Sequence, residues 1–133
     1  MGARVGAIRR ARHLTLAQVL GSMGVPPSST GFLSRVERGE RGLSRRRAEE
    51  LATALGVQVE HLTGQLPVLP VFREIAGLSA QQLAEHVGVS VGELSRFERG
   101  IARPPRSVAA HVAERLGVSV PVLFPPVGDE SAA

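Results

Sequence analysis

The segment from Ile8 to Leu62 recurs from Phe72 to Leu123, and this internal repeat constrains the 133-residue chain more than any other feature. In the first part the copies run 64 residues apart, so that Arg9 matches Arg73, Leu14 matches Leu78, Thr15 matches Ser79, Gln18 matches Gln82 and Gly24-Val25 matches Gly88-Val89. Beyond that the offset is 61: Leu33-Ser34-Arg35-Val36-Glu37-Arg38-Gly39 matches Leu94-Ser95-Arg96-Phe97-Glu98-Arg99-Gly100, and Leu55-Gly56-Val57 matches Leu116-Gly117-Val118. The first copy therefore carries three extra residues, near Pro26-Pro27-Ser28, where a turn between helices absorbs them. Each copy has roughly the 50 residues that a small core needs. The repeat predicts a first domain over 1–64, a linker over 65–69, a second domain over 70–124 and a flexible tail over 125–133.

Within each copy the pattern is that of short helices with polar starts and glycine stops. Thr15 and Ser79 are natural N-caps for helices ending near Gly24 and Gly88, with Val19 and Leu20, or Leu83, Ala84 and Val87, facing inward. Ser29 and Ser90 are expected to cap the next pair, which end at Gly39 and Gly100, the residue type that closes a helix in a left-handed turn. A fourth helix carries Ala48, Leu51, Ala52 and Leu55, matched by Ala109, Val112, Ala113 and Leu116, at core-facing spacing. A last short helix lies around Val59 to Leu62 and Val120 to Leu123, and no strand pattern is present. The expectation is an all-α chain of two domains with about five short helices each.

All sixteen basic residues are Arg, and they are unevenly placed: through Leu66 ten face five acids, whereas the remaining six are outnumbered by seven. The first half is the better electrostatic candidate for touching phosphate. The chain has no Cys, which excludes disulfides, thiolate metal sites and a cysteine nucleophile and fits a reducing compartment. Met1 to Arg12 has no apolar core of signal-peptide length, and the longest apolar stretch, around Leu66 to Phe72, is broken by Pro67 and Pro70. A soluble, cytoplasmic protein is expected. His13, His61, His86 and His111 are isolated in sequence, and His111 with Glu114 on one helix face is better read as solvated than as metal-binding. There is no phosphate-cradling glycine loop and no nucleophile elbow, so neither an enzyme, a cofactor nor a metal is expected. Phe32 and Phe97 read as packing residues, which argues against base stacking in the manner of single-strand binders.

The order of cap, helix, Gly-Val turn, capped helix and Glu-Arg-Gly terminus closely resembles the Cro and lambda repressor-like helix-turn-helix family, also called the xenobiotic response element (XRE) family. Both copies carry it, with Leu-Gly-Val downstream at the same interval. On the third helix, at about 100° per residue, Leu94 and Phe97 share a face while Arg96 lies roughly opposite Leu94, and Arg35 has the same place between Leu33 and Val36. A guanidinium there can donate two hydrogen bonds to guanine in the major groove, so Arg35 and Arg96 are the leading base-contact candidates. The resemblance adds the residues at the start of that helix, Thr30 and Gly31 or Val91 and Gly92, together with Ser34 and Ser95. It also implies that Glu37 and Glu98 pair with Arg9 and Arg73 to hold the fold. The caps Thr15, Ser29, Ser79 and Ser90, with Arg38, Arg41, Arg45, Arg46, Arg99, Arg103 and Arg106, are assigned to phosphates, which fix register without reading sequence. Where the family commonly has a phosphate-contacting Gln after the cap, this chain has Leu16 and Ala80. Glu93, on the face entering the groove, either accepts from cytosine or repels phosphate.

The resemblance implies a bacterial or phage regulator whose partner is a double-stranded DNA operator, with repression, of the phage-immunity kind among others, as the expected outcome. Two unlike recognition helices on one chain would read an asymmetric site, as monomer or homodimer. The competing readings are that only the first domain reads DNA while the second dimerises, and that the chain is an antitoxin-like protein-interaction module. The ending Ser131-Ala132-Ala133 is similar to bacterial degradation tags and equally to any small-residue tail.

Overall fold

The structure, a computed structural model, describes residues 1–125; the Ser131-Ala132-Ala133 ending and the rest of 126–133 lie outside the described residues. Every regular element among the described residues is helical, so the fold is all-α. The chain divides into two compact units, Met1–Leu66 and one that begins at Pro67. No helix among the described residues is long and apolar enough to cross a membrane.

The first unit contains α1 (Gly2–Ala11), α2 (Leu16–Ser22), a 3-10 turn (Pro27–Ser29), α3 (Thr30–Glu37), α4 (Arg45–Leu55) and α5 (Val59–Thr63). α1 and α2 pack on α3, α2 on α4, and α5 on both α4 and α1. The stripe Ala48, Leu51, Ala52 and Leu55 is buried, as are Val19, Leu20, Leu33 and Val36. Complete burial of a leucine such as Leu33 contributes roughly 1.5–3 kcal/mol, which is what holds an eight-residue helix in place when its own propensity cannot.

α1 lies tight against the end of α3. A Cβ on Gly2 would come within 2.4 Å of the Val36 carbonyl oxygen and 2.9 Å of that of Glu37, and one on Gly6 would meet the Arg10 guanidinium and the Glu37 carboxylate. Glycines four residues apart thus clear one face of α1 for the backbone and side chain that end α3. Arg4, on the same helix, is 9% exposed and donates to the His61 carbonyl at 2.8 Å and the Leu66 carbonyl at 3.2 Å. Burial lowers its pKa from the ordinary value, and the two carbonyls satisfy its donors.

The second unit contains α6 (Leu69–Ile75), α7 (Ala80–Val87), α8 (Val91–Glu98), α9 (Arg106–Leu116) and α10 (Val120–Leu123). α6 and α7 pack on α8, α7 on α9, and α9 on α10. Phe72, Leu83, Leu94, Phe97 and Val112 are buried, while Ala113 and Leu116 of the α9 stripe are half-buried. The segment 65–69 is not open throughout: Val68 and Leu69 are fully buried, and Leu69 begins α6 with Pro70 in its first turn, where a missing N–H costs nothing.

Capping explains several helix starts. Thr15 with Gln18, Ser79 with Gln82 and Ser90 with Glu93 each form a reciprocal capping box, closed by hydrogen bonds of 2.8–3.0 Å. Ser29 departs from the expectation: it precedes α3 but makes no capping hydrogen bond. The extra residues of the first copy form the 3-10 turn instead, leaving Ser29 at φ −89°, ψ 11° and not in the extended conformation a capping serine adopts. α3 and α8 both close at a glycine with positive φ, 75° at Gly39 and 74° at Gly100.

Candidate nucleic-acid interface

Leu94 and Phe97 bury one side of α8, so its remaining surface is set by helical geometry. Val91, Ser95, Arg99, Gly92 and Arg96 fall within one arc of about 140° on the opposite side. Thr30, Ser34, Arg38, Gly31 and Arg35 form the same arc on α3, opposite Leu33 and Val36. Arg35 and Arg96 are exposed, and among the described residues neither guanidinium takes part in a hydrogen bond or ion pair. Each guanidinium has its full fork of donors available.

Two ion pairs anchor these helices from beneath. Arg9 meets Glu37 through Nε at 2.5 Å and Nη2 at 3.0 Å, and its Nη1 donates to the Leu14 carbonyl at 2.9 Å. Arg73 meets Glu98 at 2.5 and 3.3 Å and the Leu78 carbonyl at 3.0 Å. The side chains are only 11–17% exposed. The hydrogen bonds that Arg9 donates to Glu37, with the carboxylate's charge, raise the Arg9 pKa above its ordinary value. In both units one arginine ties the start of the turn-helix pair to the last residue of the exposed-face helix.

The remaining candidates fall into different surroundings. Arg38 donates to Glu40 at 2.9 Å and to the Ser34 hydroxyl at 2.6 Å, so three polar residues of the first unit hold one another on the exposed face. The bond to Glu40, with its charge, raises the Arg38 pKa, and Arg38, with Arg35 adding, holds the Glu40 carboxyl below the usual range. Arg41 lies 4.7 Å above the centre of the Phe32 ring, a cation–π contact that accounts for the half-buried Phe32. Arg45 pairs with Glu49 and Glu60, while Arg46 and the neighbouring Arg47 both pair with Glu50. Such exposed pairs contribute about 0–1 kcal/mol each, so an incoming phosphate can displace them. An open cleft of about 350 Å³, lined by Phe32, Arg41, Ser44 and Arg47 among others, lies beside α3.

In the second unit, among the described residues, the Arg99 side chain reaches only the Ser95 carbonyl, at 3.4 Å, and Arg106 is exposed. Arg103 does something else: its guanidinium donates to the Phe124 carbonyl at 3.0 Å and the Pro125 carbonyl at 2.6 Å. It fastens the segment after α10 while remaining exposed. Glu93 is likewise committed, because its carboxylate accepts from the Ser90 N–H at 3.0 Å. The Ser90 hydrogen bonds, with Arg96 adding, hold its carboxyl below the usual range. Thr15, Ser79 and Ser90 use their hydroxyls as caps, and Ser29 lines the cleft beside α3. His86, His111, Glu114 and Arg115 line a surface depression in the second unit, and no group of three potential metal ligands occurs among the described residues.

Sequence reasoning missed Arg4 and the Arg38–Glu40 pair. The glycines at Gly2 and Gly6, spaced for close helix approach, were a usable signal for the first; for the second the run Arg38-Gly39-Glu40 offers only proximity.

Comparison with known proteins matches residues 69–123 to a family model described as a helix-turn-helix domain. That segment spans α6 to α10 and is similar to an XRE-like helix-turn-helix domain. Two relatives, each named an uncharacterized HTH-type transcriptional regulator, come from Mycobacterium tuberculosis strains CDC 1551 and H37Rv. Each is 46% identical over 52 residues, 39% of this chain and 37% of the relative. The chain thus matches little more than a third of the length of these relatives. No solved structure matches it.

Proposed function

We propose that the chain is a DNA-binding transcriptional regulator in which both units are helix-turn-helix domains, each placing its exposed-face helix, α3 or α8, in a major groove. The observation that carries this reading is that Arg35 and Arg96, at equivalent places in the two copies, are exposed and unpaired among the described residues while neighbouring arginines of α4 are paired with acids. The helix-turn-helix match over residues 69–123 and the names of the two relatives support the regulatory role. In this reading Arg35 and Arg96 contact guanine, and Thr30, Gly31, Ser34, Val91, Gly92 and Ser95 face base edges. Arg41, Arg45, Arg46, Arg99 and Arg106 lie along phosphates, the α4 arginines exchanging their surface carboxylates for them. The domains run 1–64 and 70–124, and occupancy of an asymmetric operator represses transcription in the cytoplasm of a bacterial cell or phage-infected host.

A second reading is favoured by one observation. Ile101, 64% exposed just past α8, stands where the first copy has Glu40, on the half of the chain poorer in arginine. Such a surface suits contact with a second copy, with the first unit alone reading DNA.

Selection of bound duplexes from a random library, at fixed salt, separates the two. If Arg35→Ala and Arg96→Ala each relax a different part of one asymmetric consensus, both units read DNA. If Arg96→Ala leaves the consensus and affinity unchanged, the second unit is an accessory, and enrichment of no sequence overturns the DNA reading.

A further inference from the structure

The first residue of α8 is an apolar side chain left in water. Val91 is 46% exposed; the other large hydrophobic residues exposed among the described residues are Met1 and Ile101. Neither capping nor helix propensity calls for valine there, because Ser90 and Glu93 already close the helix start and β-branched residues are indifferent helix formers. Beside it stands Gly92, in ordinary helical conformation, where an added Cβ would find nothing closer than the Ser90 hydroxyl at 3.9 Å. Glycine inside a helix is unfavourable relative to alanine, and no neighbour within the unit requires it. The first copy repeats the arrangement with Thr30, which also carries a methyl group on a branched Cβ, followed by Gly31, around which there is nothing within 4 Å. A methyl-bearing residue, a bare backbone position and, four residues beyond the glycine, an unpaired arginine therefore lie on one arc of each helix.

The geometry points to Val91 as the side chain that reads the C5-methyl group of a pyrimidine in the major groove, with Gly92 left bare so that the base edge can approach the helix. This rests on the reading of α8 as a groove-inserted helix. The chemistry is selective because the major-groove edges of the four base pairs display donors, acceptors and a single apolar group, the C5-methyl. That methyl is thymine's own or the one carried by 5-methylcytosine. Ser95 and Arg96 lie on the same face and would contact the adjoining positions, so the methyl and the guanine belong to neighbouring base pairs of one half-site.

The test uses the full chain and the best duplex from the random-library selection. Each thymine in it is replaced singly by uracil, and each cytosine singly by 5-methylcytosine, with affinities measured for the wild type and for Val91→Ser. Val91 is exposed, so the variant should keep its fold, and a thermal melt confirms it. At one position, uracil should weaken the wild type about four-fold, the worth of one buried methyl group, and leave Val91→Ser unaffected. If the sensitive position is a cytosine, methylation should strengthen only the wild type, by a similar factor, which assigns the methyl to 5-methylcytosine. A selected site that depends on Arg96 but shows the same methyl sensitivity in both proteins overturns this inference alone. A site indifferent to Arg96→Ala, or no enriched site, overturns the groove reading of α8 and the inference together.

Discussion

Replacing Arg73 with Met removes the partner of a carboxylate that cannot return to water. Glu98 is only 12% exposed and receives two of the three hydrogen bonds that Arg73 makes; the third goes to the Leu78 carbonyl. Breaking a buried pair by deleting one member costs about 3–5 kcal/mol, and partial access of water to Glu98 places this site near the lower figure. Loss of the bond to Leu78 adds about 1 kcal/mol. The single substitution should therefore destabilise the second unit by about 3–4 kcal/mol, a large fraction of what a domain of this size possesses. The double substitution Arg73→Met with Glu98→Leu removes both the charge and its partner, and should recover all but about 1 kcal/mol. Residue-resolved amide exchange is the suitable assay, because the amides of Leu94 and Phe97 report the second unit while those of Leu33 and Val36 report the first. Protection should fall in the second unit alone. A single substitution costing under 1 kcal/mol, or a double variant as unstable as the sum of its parts, would refute the assignment of this pair to holding α8 in place.

Glu40→Gln releases Arg38, so duplex affinity should rise and the slope of log K against log salt should steepen by about one phosphate's worth; an unchanged slope would mean that Arg38 meets no phosphate. Gly2→Ala should cost about 1–3 kcal/mol by urea unfolding, because the new methyl meets the end of α3, whereas Gly31→Ala, with open space around it, should be neutral or stabilising. The folded-state pKa of Glu93 is depressed, so its contribution to stability is present above the unfolded carboxylate range and fades as pH falls through the folded value. Glu93→Gln keeps the capping box, as Gln18 and Gln82 do, and should flatten the loss of melting temperature toward pH 3; identical profiles would count against it. Arg103→Ala should speed amide exchange at Leu123 and Phe124 without altering that of α8.

The elements most legible in the sequence were those governed by neighbours. Thr15 and Ser79 announce helix starts because a cap and its box partner lie three residues apart, and Ala48, Leu51, Ala52 and Leu55 announce a buried stripe because helical pitch is regular. Ser29 looked like its counterpart Ser90, but three inserted residues changed the backbone that precedes it, and capping depends on that backbone more than on residue type. Arg4 and Arg103 reach carbonyls 57 and 21 residues away, and a long side chain bonding to remote backbone leaves no periodic trace. An arginine count therefore overstates the cations free to meet phosphate: Arg4, Arg9, Arg73 and Arg103 are all committed within their own units. Glu93, at the start of α8, reads by the resemblance as a groove-facing acid, whereas its carboxylate bends back to the Ser90 amide.

The unequal entries to α3 and α8 have a thermodynamic corollary. At the start of α8 the Ser90 hydroxyl holds the Glu93 amide and the Glu93 carboxylate holds the Ser90 amide, which restricts its opening turn. α3 leaves a 3-10 turn with no side-chain cap, and its Thr30 amide bonds back to the Pro27 carbonyl. In the proposed groove reading, the start of α3, held by backbone alone, adjusts more readily on docking, while that of α8 is closer to a rigid body. Two helices with the same arc of side chains thus stand at different points between adaptability and preorganisation.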